Sequence, residues 1–160
     1  MTTNENTSSV TIISDLEIAM SRVFDAPRDL VFKAYTDPEM VAQWWGLRAS
    51  TTIIERMDVR PDGQWRFIQR EADSTEYAFN GEYREVSPPE RLVNTFEFEP
   101  MPGQVIVDTA TFEDLDGRTK LTVTSLFQSV EDRDGMLASG MEGGANESWD
   151  QLAELLASAR

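Results

Sequence analysis

The sequence predicts an α+β fold: a curved antiparallel sheet of seven strands, covered on one face by a long C-terminal helix, with two short helices after the first strand. Three observations predict it. An alternating apolar pattern near the start gives way to a helical period, strand patterns then follow one another with turn signals between them, and residues 131–159 return to the helical period.

The first strand is "DLEIAMSRVFDAP", which places Ile18, Met20 and Phe24 on one face and stops at Pro27. Arg22 falls on that same apolar face. Leu30, Val31, Ala34 and Tyr35 then recur at helical spacing, Asp37-Pro38 interrupts them, and Met40, Val41, Trp44 and Trp45 resume the pattern. Asp37 is placed to cap the second helix with Pro38 at its first position, and Gly46 to end it. Strands are expected at 51–60, 64–70, 76–86, 91–99, 105–112 and 118–127. Between them lie Pro61-Asp62-Gly63, Ala72-Asp73-Ser74, Pro88-Pro89, Pro102-Gly103 and Asp116-Gly117, and such short connections imply an antiparallel meander. Residues 131–159 read as one helix with Met141, Ala145, Ser148, Leu152 and Leu155 on its stripe. Residues 1–14, rich in Thr, Ser and Asn, are expected to form a disordered tail, leaving 15–160 as a single domain.

Composition narrows the function. Fourteen Lys and Arg against 29 Asp and Glu give a net charge of -15, a field that repels nucleic-acid phosphates and anionic headgroups. With no cysteine and no histidine, thiolate chemistry, zinc-thiolate sites and the commonest general base are all excluded. No cofactor, metal site or catalytic residue is predicted. "DVRPDG" at 58–63 has the outline of a calcium loop, but Arg60 replaces an acidic ligand and Gln69 stands where the closing glutamate belongs. The polar N-terminus and the lack of a long apolar run predict a cytoplasmic protein with no membrane insertion. The expected oligomeric state is a monomer or weak homodimer.

A single helix crossing a wide, twisted sheet leaves part of the concave face uncovered, which predicts a cavity. Its walls are the inward sets Trp65, Phe67 and Gln69; Leu92, Asn94, Phe96 and Phe98; and Leu121, Val123, Ser125 and Phe127. Such a lining, mostly apolar with isolated polar groups, suits a small hydrophobic molecule. Gly140, Gly143 and Gly144 occupy a helix where each costs roughly 1 kcal/mol against alanine; close packing is the first explanation and room for a ligand the second. Arg22, Glu55, Asn94 and Asp108 are polar residues on apolar faces, and an Arg22–carboxylate pair is expected either to line the cavity or to be structural.

Four segments, "RVFDAPRDLVFKAYTDPEMVAQWWG" (22–46), "MDVRPDGQWRF" (57–67), "NGEYREVSPPERLVNTFEFE" (80–99) and "GMEGGANESWDQLAELLA" (140–157), closely resemble bacterial proteins similar to the C-terminal domain of the activator of heat-shock-protein-90 ATPase. These belong to the START-like, birch-pollen-allergen-like (SRPBCC) superfamily. The sequence departs at Pro61-Asp62-Gly63, where many relatives have a glycine pair. The resemblance implies a helix-grip fold in which the two short helices close one end of the cavity. It implies three functions: a binding module for a lipid-like, aromatic or polyketide-like molecule, which is the leading expectation; a polyketide cyclase or dehydratase using carboxylates, Tyr or Arg22; or a chaperone-interaction domain. The residues expected around the ligand are Arg22, Trp44, Trp45, Trp65, Phe67, Tyr77, Tyr83, Asn94, Phe96, Met141 and Gly144. Two adjacent helical residues point about 100° apart, so one tryptophan of the Trp44-Trp45 pair is expected in the core and the other at the rim.

Overall fold

The computed structural model describes residues 8–159, and the chain runs β1 (Thr11–Ile12), β2 (Glu17–Phe24), α1 (Arg28–Thr36), α2 (Pro38–Trp44), β3 (Thr51–Met57), β4 (Gln64–Arg70), β5 (Glu76–Ser87), β6 (Arg91–Phe98), β7 (Ile106–Asp114), β8 (Thr119–Leu126), α3 (Val130–Ala138) and α4 (Met141–Ala159). The strands form one antiparallel sheet in the order β1-β2-β8-β7-β6-β5-β4-β3. With α4 against its concave face, this is the helix-grip fold.

Four expectations are corrected, the last of them at Glu55 of β3. The sheet has eight strands rather than seven, because Thr11 and Ile12 pair with Ala19 and Ile18 at its edge. Residues 8–14, expected to be disordered, are held instead by polar contacts with α4. The Ser8 amide donates to Asn146 Oδ1 at 2.9 Å, Asn146 Nδ2 donates back to the Ser8 carbonyl at 2.8 Å, and the Val10 amide donates to Glu142 at 2.7 Å. No apolar pattern announces such a strap. Residues 1–7 of that expectation lie outside the described residues.

The third correction concerns the last helix, which is two. Ser129 caps α3 by accepting from the Asp132 amide, Ser139 closes it, and Gly140 reverses the chain at φ +85° before α4 begins. A positive φ at the residue after a helix end is a glycine position. One of the three glycines is thereby a helix terminator.

The sequence rules hold closely elsewhere. Ile18, Met20, Arg22 and Phe24 are the buried alternation of β2. Asp37 caps α2 by accepting from the Glu39 amide at 2.9 Å, with Pro38 at the first position. That helix ends at Trp44, so Trp45 already lies in extended backbone at φ -73° and ψ 129°. A bulge between Ile54 and Arg56 disturbs the alternation of β3, and Glu55, expected on the apolar face, is exposed and paired with Arg66.

The core is concentrated under the second half of α4. There Trp149, Leu152 and Leu156 meet Phe24 and Leu121 of the sheet and Val31 and Phe32 of α1. Each such side chain contributes about 1.5–3 kcal/mol on full burial. The first half of α4 turns Gly144, Ala145 and Ser148 toward the sheet, all too small to reach it. The concave face opposite them stays uncovered.

Candidate functional site

The uncovered space is a cavity of ≈ 1030 Å³ bounded by the inner faces of β2 and β4–β8, the end of α2, one side of α3 and the first half of α4. Ten of the eleven residues expected around a ligand line it: Trp44, Trp45, Trp65, Phe67, Tyr77, Tyr83, Asn94, Phe96, Met141 and Gly144. Arg22 does not. It points inward, as its strand position requires, but α4 lies across it. Its guanidinium donates to Ser8 Oγ, Asn146 Oδ1 and Asp150 Oδ1, each at 2.9 Å, and lies 5.8 Å from the Phe24 ring and 5.9 Å from that of Trp149. The Arg22–Asp150 pair is therefore structural and fastens the N-terminal strap to α4.

One wall is aromatic. Trp45 packs edge-on against Phe67 and Phe79 at 5.2 and 5.1 Å, Trp65 tilts against Phe67 at 4.6 Å, and Phe79 continues to Phe96 at 5.6 Å. Trp44 is 3 % exposed and donates its indole N–H to the Ala34 carbonyl, so it seals the end of the core while Trp45 borders open space. Gly46 explains the pair. Its amide donates to Ser148 Oγ, its carbonyl accepts from Ser148 Oγ and Gln151 Nε2, and its φ of +100° turns the chain away. A Cβ there would stand 2.3 Å from the Gln69 amide group. Both α4 and the glycine conformation thus fix Trp45 over the cavity.

Across the floor runs a polar row set by strand register: Tyr83 faces Asn94, Asn94 faces Asp108 and Asp108 faces Ser125. Residues directly opposite on antiparallel strands share a face, so all four point inward. Ser125 Oγ donates to Asp108 Oδ1 at 2.6 Å. Burial pushes the Asp108 carboxyl up to about 6, with the Ser125 hydrogen bond holding it from going further. Its remaining accessible surface belongs to the cavity wall. Tyr35 enters from α1, accepting from Trp149 Nε1 at 2.9 Å and tilting against Trp44 at 4.7 Å. Burial, with a smaller contribution from Asp108, raises its hydroxyl above the ordinary tyrosine range, and burial alone raises Tyr83.

The rim carries exposed Leu47, Tyr77 and Met101 beside Glu71, Glu131 and Asp132. Among the described residues, no group of three His, Cys, Asp or Glu is placed to hold a metal ion, and no helix is long and apolar enough to cross a membrane. A separate cleft of ≈ 520 Å³ on the convex face is dominated by charges already paired, with Arg66 bound to Glu99 and Glu55. It offers a ligand little.

Beyond the residues expected around the ligand, Tyr35, Asp108 and Ser125 matter most to the floor. Asp108 and Ser125 are legible in the sequence as inward-facing polar residues, whereas Tyr35 reads as one more apolar-face residue of α1, and only the tertiary fold turns it to the floor. Gly143 and Gly144 are not packing glycines: a Cβ on the first meets nothing within 4 Å, and on the second only Leu47 at 3.7 Å. Gly144 leaves α4 without bulk beside the cavity, whereas Gly143 is exposed and does not line it.

An eight-stranded sheet gripping a C-terminal helix around an open cavity defines a START-like domain. Residues 25–157 match the family model "Activator of Hsp90 ATPase homolog 1-like protein", and the chain belongs to that family. Its fold is similar to the solution structure of an Arthrobacter aurescens protein (25% identity, TM-score 0.86, covering 94% of this chain and 91% of that one). A crystal structure from Rhodobacter sphaeroides gives 20% identity and a TM-score of 0.88 over 94% and 99% of the two chains. A third, from Mycobacterium smegmatis, gives 25% and 0.81 over 92% and 97%. Among curated proteins, none matches.

Proposed function

We propose that the chain binds a small, mostly apolar molecule in the cavity between the sheet and the first half of α4. The observation that carries this is the cavity itself: ≈ 1030 Å³ walled chiefly by aromatic and aliphatic side chains, with a few polar groups gathered at the floor. Pockets that enclose drug-sized molecules measure roughly 300–1,000 Å³ and have this distribution of chemistry. The absence of a Cβ at Gly144, the glycine of α4 that lines the cavity, keeps the helix side open.

The test is extraction. Protein purified under native conditions is denatured and its extract analysed by mass spectrometry, beside protein refolded without ligand. A stoichiometric molecule is expected, lost on refolding and regained on addition. Gly144→Leu, whose side chain grows into the cavity past Leu47, is expected to fold and to bind at least about tenfold more weakly, since it fills the space the ligand needs. An empty extract, with tryptophan fluorescence unresponsive to apolar and aromatic compounds, would overturn the proposal.

A second reading has one observation in its favour. Asp108, pushed up to about 6, is poised for proton transfer near neutral pH, with Tyr35 near enough to feel its charge and Tyr83 further along the same floor, groups a cyclase or dehydratase would use. Chemical conversion of the extracted molecule, lost in Asp108→Asn, would select this reading over simple binding.

A further inference from the structure

We propose that the ligand is a hydrophobic amine, an apolar body carrying a protonated amino group that seats beside Asp108 on the cavity floor. This rests on the cavity being a binding site, and it specifies the chemistry the site selects. No Lys or Arg lines the cavity, while four carboxylates do: Asp108 at the floor and Glu71, Glu131 and Asp132 toward the mouth. None of the four has an ion-pair partner among the described residues. The enclosed Asp108 is held by one hydroxyl, and a carboxylate away from water without a countercharge is unfavourable.

The hydrogen-bond inventory of the floor points the same way. Ser125 already donates to Asp108, Asn94 Nδ2 donates to the Thr95 carbonyl, and the Trp149 indole donates to Tyr35. Acceptors stay open there among the described residues: the Asp108 carboxylate, the Asn94 side-chain carbonyl and the Tyr83 hydroxyl; the open donors are the neutral Trp65 indole N–H and the Tyr35 and Tyr83 hydroxyls, so no positive charge answers Asp108. Tyr83 is 4 % exposed, lines the cavity and makes no hydrogen bond through its hydroxyl to any described residue. An ammonium group supplies three donors and a positive charge to this set. A carboxylate ligand would meet Asp108 and be repelled. Twelve of the lining residues are aromatic, a residue type whose π-systems attract a cation.

The test compares three probes that share one body: 4-phenylbutylamine, 4-phenylbutanol and 4-phenylbutyrate, titrated calorimetrically at neutral pH. The amine is expected to bind at least about tenfold more tightly than the alcohol, and the carboxylate more weakly than either. Asp108→Asn is expected to remove most of the amine's advantage and leave the alcohol within about twofold. Glu113→Gln, at an exposed β7 position, changes net charge equally and is expected to leave the amine's preference intact, separating a local contact from the general field. If the alcohol or the carboxylate binds the wild-type protein as tightly as the amine, the amine inference falls and the cavity reading stands. If the extraction experiment and all three probes show no binding, both fall. The wild-type comparison decides the matter even should Asp108→Asn fail to fold.

Discussion

Asp108 stands between Asn94 and Ser125 on the concave face with no cation beside it, and that placement should be visible in the pH dependence of stability. Its carboxyl is raised from 3.8 to about 6, so protonation is easier in the folded than in the unfolded chain. Whatever stability this linkage contributes is complete below the unfolded value and lost as pH rises through about 6. The titratable groups that face it, Tyr35 from α1 and Tyr83 from β5, are both raised and stay protonated throughout that window. Asp108→Asn retains an acceptor for Ser125 and removes the buried charge. It is expected to stabilise the apoprotein by on the order of 1–2 kcal/mol above pH 7 and by almost nothing below pH 4, at about 1.4 kcal/mol per pKa unit less what the open cavity screens. Urea unfolding at the two pH values checks this, and a gain independent of pH would show that burial of the charge is not the cause.

The last two helices separate two uses of glycine that look alike in the sequence. Gly140 terminates α3 at φ +85°, whereas Gly143 is an ordinary helical residue with open space where its Cβ would be. Gly143→Ala should therefore stabilise the protein by up to about 1 kcal/mol through helix propensity alone. Gly140→Ala should destabilise it by about 1–2 kcal/mol, because an L-residue with a Cβ resists that conformation. Paired thermal melts read both signs, and a stabilising Gly140→Ala would show that the two helices can merge into the one the periodicity suggests. The same contrast shows what is legible in the sequence. Strand alternation, the Asp37 cap and the turn residues are local, so they reveal the strand and helix order, and the inward sets follow from parity along each strand. The break at Gly140, the strap at Ser8 and the burial of Arg22 under Asn146 and Asp150 are set by how α4 packs, and the last two join residues more than a hundred positions apart, which no window of sequence contains. Arg22 faces inward as expected and yet does not line the cavity for that reason: parity gives the face of the sheet, and only the path of α4 decides which part of that face is covered.

At the scale of the whole molecule, net charge dominates the electrostatics. At most fourteen of the 29 carboxylates can be matched one-to-one by a basic side chain, so the folded chain concentrates the remainder into a small volume. The pairs that do form lie mostly at the surface, where an individual ion pair contributes only about 0–1 kcal/mol. Self-repulsion is therefore not offset locally, and it is relieved when the chain unfolds and the charges separate. Screening should act against that relief. At about 10 mM ionic strength the Debye length is roughly 30 Å, long enough for carboxylates across a small domain to repel one another, and at about 0.15 M it falls to roughly 8 Å. Raising sodium chloride over this range is expected to increase the melting temperature by several degrees at pH 7.5, with most of the rise complete by the upper value. The increase should shrink as pH approaches 4, where the carboxylates begin to protonate and the repulsion disappears. Scanning calorimetry across the two variables distinguishes screening from a general salting effect, since the latter continues to grow at molar salt and does not fade on acidification. A melting temperature indifferent to salt at pH 7.5 would mean that the surface pairs, and not the net charge, set the electrostatic balance of the fold.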